Sequence, residues 1–250
     1  MLQTARENKV MKRKFVLIFI ILTSAVCFAE EQLVSEIFFI NPEEAIEFFI
    51  DKLKNQDAIG ALSTCAVNAY GEGFKFDEYA NWLSALTPLS PAPSEYELYL
   101  QINKMQKMAE IARQIKFFIY SLLTPERDYT LTTMVDRESS EAKEIAESLD
   151  PERLSDLQII DIRLTAPEIF NCERNLTNMK RRASFYGGET MTERVVLYKL
   201  GKQYFVGGIT LIKFGKGWQI DGMYASLAGL NSLGMTEEID RGDYRGYYEF

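Results

Sequence analysis

The chain has 250 residues, 47% of them hydrophobic, which suits one domain with additions or two small domains around a real core. It contains no histidine. That excludes Ser-His-Asp and Cys-His catalysis, histidine-ligated zinc and histidine proton shuttling, and leaves carboxylate, tyrosine or lysine chemistry open.

Charge is unevenly placed. The first 29 residues hold five basic side chains and one acidic one, a net of +4, so the whole-chain −8 leaves −12 on the remainder. An acidic body argues against nucleic acid and anionic membrane surfaces as partners. Lys12-Arg13-Lys14, the apolar run 15–22 and small residues through Ala29 form the pattern of a secretory signal over residues 1–29, with cleavage before Glu30 and Met11 as an alternative start. The run is shorter than the ~20 apolar residues that span a bilayer. The expectation is export to the periplasm or the outside of a bacterial cell. Contact with the membrane would come only through an uncleaved N-terminal segment. Lipidation at Cys27 is disfavoured by Val26 before it. Once the signal is gone, Cys65 and Cys172 are the cysteines left. An exported chain can join such a pair in a disulfide or bury both as free thiols, and the sequence leaves the two readings level.

Asn41-Pro42-Glu43-Glu44 is a helix start: a capping side chain, proline in the first turn, and acids at the positive end. Ile46, Phe49, Ile50 and Leu53 then repeat as one buried face. Asp57 caps a second helix carrying Ala61, Leu62 and Cys65, broken at Gly71-Glu72-Gly73. Asp77 caps a third, with Tyr79, Trp82, Leu83 and Leu86 on one stripe. Pro88, Pro91 and Pro93 form a stiff joint. Residues 94–123 read as one long helix with a seam of Leu98, Ile102, Met105, Ala109, Ala112, Ile115, Ile119 and Leu122. The short charged helix 140–149 completes an insert over 94–150.

Strands follow. Residues 156–165 alternate, with Asp161 and Arg163 two apart on one face, a spacing that suits a rim ion pair. Residues 169–186 are ambiguous and contain the basic cluster Lys180-Arg181-Arg182, read as a solvated loop. Asn175-Leu176-Thr177 fits a glycosylation triplet that only a eukaryotic secretory host would use. Residues 194–200, 203–214 and 218–224, joined by Gly201-Lys202 and Gly215-Lys216-Gly217, read as an antiparallel meander. Gly207-Gly208 in mid-strand predicts a bulge or bend. Residues 229–250 read as a flexible acidic tail, with docking through Tyr244, Tyr247, Tyr248 and Phe250 as the alternative.

These pieces assemble into an α+β fold over residues 41–228: N-terminal helices packed on a curved antiparallel sheet, with a long helical insert. The helix opening at Ala45, the turn Lys54-Asn55-Gln56-Asp57 and the late strands with Gly215-Lys216-Gly217-Trp218 resemble the nuclear transport factor 2-like (ketosteroid isomerase-like) superfamily. That resemblance implies a cone-like sheet wrapped on a long helix around an internal pocket, where Trp82, Tyr204, Phe205 and Trp218 are the candidate ligand contacts. A catalytic member would need a carboxylate base and an oxyanion donor, for which Asp161, Asp221 and Tyr198 are the candidates. No motif ties those three together, and no cofactor or metal is called for. The leading expectation is an exported, non-catalytic envelope protein that binds a small apolar ligand or a partner protein. The alternatives are a small isomerase or dehydratase with a carboxylate base, and a membrane-tethered structural protein. The 94–123 helix separates ligand from partner: capping the sheet favours a pocket, and an exposed apolar face favours a partner.

Overall fold

The computed structural model describes residues 36–87, 90–132, 134–137, 139–230 and 233–249. Residues 1–29, which read as a signal, Cys27 among them, and the terminal Phe250 lie outside the described residues. The chain is α+β, as its residue pattern predicts, with helices laid on a curved, unclosed antiparallel sheet.

Helix α1 (Pro42–Lys54) begins as its sequence predicts, with the Asn41 side chain accepting the Glu44 N–H at 2.8 Å. Its face of Ala45, Ile46, Phe49, Ile50 and Leu53 is buried. Three short helices follow: α2 (Ala58–Leu62), α3 (Val67–Glu72) and α4 (Phe76–Leu83). Helix α3 has no cap of its own, since Ala66 precedes it; Glu36 serves instead, its Oε1 accepting the Asn68 and Ala69 N–H groups at 2.7 and 2.9 Å.

Helix α5 (Glu97–Leu123) runs 27 residues, or ~40 Å. It supplies the central helical layer, so the expected insert is part of the core. Its buried stripe is Asn103, Lys107, Ile111, Gln114, Phe118 and Leu122, with Ile115, Ser121 and Leu123 beside it. Leu98, Ile102 and Met105 of the predicted seam are exposed instead. The phase differs because polar side chains in the buried stripe have partners inside. Gln114 Oε1 accepts the Met223 N–H at 2.9 Å, and Ser121 Oγ accepts the Thr236 N–H at 2.9 Å. Beyond α5 come α6 (Glu141–Ser148), which buries nothing, and a 3-10 turn (Pro151–Asp156) that buries Leu154.

The sheet is β1 (Gln158–Leu164), β2 (Thr190–Leu200), β3 (Gln203–Phe214) and β4 (Gly217–Gly222) in that order, all antiparallel. Two helices, α7 (Pro167–Phe170) and α8 (Glu173–Ser184), fill the ambiguous stretch, so the basic cluster rides on a helix and not a loop. A short β5 (Glu237–Ile239) pairs with the first half of β3, while β4 pairs with its second half. The tail therefore returns to the sheet instead of trailing free. Tyr244 explains why: it is buried with Val195, Leu197, Val206 and Leu230, and its hydroxyl donates to the Val195 carbonyl at 3.0 Å.

The β2–β3 ladder passes through Gly207 and Gly208 without a register shift. The shifts lie elsewhere, between Ile159 and Asp161 on β1 and between Thr210 and Leu211 opposite β4. Gly208 serves close approach: a Cβ there would stand 2.3 Å from the Ala225 nitrogen and 2.6 Å from the Tyr224 carbonyl carbon. Among the described residues no helix is long and apolar enough to cross a membrane.

Cys65 and Cys172 are not joined. Cys65 is buried and Cys172 exposed, both as free thiols. Burial pushes the Cys65 thiol up to about 12, which removes the thiolate that would react. In the native protein at pH 8, a thiol reagent should label Cys172 and leave Cys65 untouched until denaturant is added. Peptide mass mapping reads this directly, and native labelling of Cys65 would refute its burial.

Candidate functional site

The candidate site gathers where α5 crosses the end of β4. Thr210 pairs with Gly222 and Leu211 with Ile220, which leaves Asp221 as the extra residue of a bulge. A bulge re-aims the side chain it carries, and Asp221 is turned to the interior, 4% exposed. Lys107 on α5, 5% exposed, places its Nζ 3.0 Å from Asp221 Oδ1. Tyr224 donates its hydroxyl to Asp221 Oδ2 at 2.8 Å. Both oxygens of this carboxylate are thus held. Lys107 also lies 4.4 Å from the centre of the Tyr70 ring and 3.9 Å from Glu110 Oε2.

Electrostatics fix the protonation of this group. Burial pulls the Lys107 ammonium down, but the charges of Asp221 and Glu110 outweigh it and the net direction is upward. Lys107 therefore stays an ammonium at neutral pH, unsuited to act as a base or an amine nucleophile. Burial, and then the nearby Asp221 charge, push the Tyr224 phenol up; the same two causes, in the same order, raise Tyr70. These hydroxyls stay neutral.

Over this floor stands an aromatic wall. Tyr70 and Tyr186 stack with ring centres 3.9 Å apart and planes 17° apart. Phe74 stacks on Tyr186 at 5.5 Å, and Trp82 leans on Phe185 at 5.3 Å. Gly73 makes the stacking reachable, because a Cβ there would meet the Tyr186 carbonyl oxygen at 2.3 Å. A cleft of about 190 Å³ lies among Tyr70, Tyr79, Trp82, Tyr186, Lys107 and Asp221. A groove of about 600 Å³ along α5, past Pro91, Gln106 and Arg113, shares Tyr70, Lys107 and Glu110 with it. Among the described residues no group of three or more Cys, Asp or Glu side chains could hold a metal ion.

Of the candidates drawn from sequence, Asp221 and Trp82 line the cleft. Asp161 does not: it sits at the sheet rim and holds Arg163 Nε at 2.7 Å, the rim pair its spacing predicts. Tyr198 is fully buried against Phe118, its hydroxyl without a partner, and lines neither cleft nor groove. Phe205 is core. Tyr204 packs against the cluster around Tyr244. Trp218 uses its backbone to pair with Phe39 at 2.8 and 3.1 Å. Lys107, Tyr224, Tyr70 and Tyr186 were not legible as site residues. Lys107 does fall four and seven positions before Ile111 and Gln114 of the buried stripe, but its partner lies 114 residues away in sequence.

No family model matches the chain, and no curated protein does. Among solved structures, a cystatin-like protein from Ruminococcus gnavus is similar at a TM-score of 0.44 and 20% identity, over 71% of this chain and 38% of that one.

Proposed function

We propose that this chain is an exported, non-catalytic binding protein of the bacterial envelope whose cleft takes a small ligand with a flat apolar body. One observation carries the reading. The aromatic wall of Tyr70, Trp82 and Tyr186 stands over a floor whose charged groups, Lys107 and Asp221, already satisfy each other. A neutralised polar floor under aromatic walls favours stacking and desolvation over proton transfer. At about 190 Å³ the cleft suits a compact molecule, and the adjoining groove gives a longer one room to extend.

A second reading has its own observation. Asp221 lies buried beside a tyrosine, the pairing that an isomerase or dehydratase with a carboxylate base requires. The contact with Lys107 argues against it, since Lys107 and the Tyr224 hydroxyl already occupy both carboxylate oxygens that a base would turn to its substrate. A partner protein is supported by the exposed Leu98, Ile102 and Met105 on the first half of α5.

Native mass spectrometry of the protein recovered from its own host tests the proposal. The expected result is extra mass that disappears on denaturation, with occupancy falling about tenfold in Tyr186→Ala while the circular dichroism stays unchanged. A bare monomer would sink the ligand reading, and a multiple of the subunit mass would move the weight to association. The denatured mass should begin at Glu30; an intact N-terminal segment would overturn export by cleavage.

A further inference from the structure

A second cavity, of about 250 Å³, opens between α8 and β2 on the far side of Trp82 and Arg182, which line both it and the cleft. Its deepest group is Glu193. This side chain is 1% exposed, and one of its oxygens, Oε2, accepts the Leu227 N–H at 3.0 Å at the start of the 3-10 turn Ser226–Ala228. The other oxygen, Oε1, is buried with no hydrogen-bond partner. A buried carboxylate oxygen left without a donor is costly, at about 1–3 kcal/mol, and it needs an explanation. Anchoring the turn accounts for Oε2 and leaves Oε1 unexplained.

The opposite wall is basic. Arg181 and Arg182 come from α8 together with Asn175 and Asn178, which fall on one helix face at three-residue spacing. Neither arginine forms an ion pair among the described residues. The cavity therefore offers a carboxylate oxygen without a donor, two guanidinium groups outside any ion pair among the described residues, and the Trp82 ring as an apolar side.

We infer that this cavity binds a small zwitterion of the amino-acid type, its ammonium on Glu193 Oε1, its carboxylate on Arg181 or Arg182, and its side chain against Trp82. The charge order of the cavity matches that of the ligand. Guanidinium groups hold carboxylates through paired N–H donors, and an ammonium supplies the donor that Oε1 lacks. Trp82 is 47% exposed and Arg182 half-buried, so the cavity they line with Glu193 is open to solvent on their side. Burial raises the Glu193 carboxyl, while the Leu227 N–H, the Arg182 charge and the Ser226 N–H pull it back in part.

Titration calorimetry of the full chain with free L-amino acids at ~10 mM, well above the affinity a paired polar site gives a small ligand, tests this. At least one, L-phenylalanine or L-leucine among them, should bind saturably. Phenethylamine and 3-phenylpropionate, each lacking one charge, should bind at least about tenfold more weakly than L-phenylalanine, the loss of one charge-assisted contact. Glu193→Gln keeps the shape and should fold with unchanged circular dichroism and lose binding; Arg181→Ala and Arg182→Ala change side chains at the surface, and at least one of the two should lose binding while folding normally. Tyr186→Ala, which alters the cleft but not this cavity, should leave amino-acid binding unchanged, so this outcome is separate from that of the cleft. Absence of binding by every amino acid, binding that survives Glu193→Gln, or binding that survives both Arg181→Ala and Arg182→Ala, would overturn the assignment.

Discussion

Asp221→Ala should cost about 3–5 kcal/mol of folding stability, the range for removing one member of a buried ion pair. The substitution strands the Lys107 ammonium at 5% exposure. Glu110 Oε2, at 3.9 Å and on a partly exposed side chain, compensates weakly. It also removes the acceptor of the Tyr224 hydroxyl. Lys107→Met should cost a similar amount for the reciprocal reason. The informative variant is the double change Lys107→Met with Asp221→Asn, which removes both charges and keeps an acceptor for Tyr224. Its loss should fall well short of the two single losses together, because neither charge is left alone. Urea denaturation with linear extrapolation measures all three. Single variants within about 1 kcal/mol of the parent, the typical size of an exposed pair, would show that the pair is solvated in solution and that the cleft has an open, wet floor.

The sequence carries the elements of this fold because they obey local rules. The Asn41 cap, the buried face from Ala45 to Leu53 and the glycine turns at Gly201 and Gly217 depend on neighbours a few positions away. The site was less legible because it is built from exceptions. Along α5 the apolar residues Leu98, Ile102 and Met105 set the visible phase, yet they face outward, while Lys107 and Gln114 face inward. Their burial is offset by partners on β4 and its continuation, which no periodicity can reveal. Asp221 is inward only because of a one-residue bulge, and a bulge reverses the face that alternation would assign. Glu193 gives no sign of burial, standing as it does beside Arg194 in an ordinary strand pattern. The tail is polar enough by composition to read as flexible, and its tyrosines are the one local sign of docking: Tyr244 is buried and β5 pairs with β3.

The glycine pair in β3 bears on how the site is held. Gly208→Ala should cost about 1–3 kcal/mol, the usual range for forcing a methyl into packed space, and toward the upper end here because the obstacle is backbone. The added Cβ would meet the Ala225 nitrogen at 2.3 Å and the Tyr224 carbonyl carbon at 2.6 Å, and neither can turn away as a flexible side chain would. Relief requires residues 224–225 to lift from the strand. Thr210, whose hydroxyl donates to the Tyr224 carbonyl at 2.8 Å, would lose that contact first. The Tyr224 ring would move with its backbone, and its hydrogen bond to Asp221 would lengthen or break. Stability and site geometry should therefore fall together in Gly208→Ala, with ligand occupancy of the cleft dropping beyond what residual unfolding explains. Gly207→Ala meets side chains instead, Tyr198 Cε2 at 3.0 Å and Thr236 Cγ2 at 3.2 Å. It should lower stability while leaving the cleft intact. Denaturation curves paired with native mass spectra of the two variants separate these outcomes. Equal loss of occupancy in both would mean that β3 as a whole, and not the crossing at Gly208, sets the position of Tyr224.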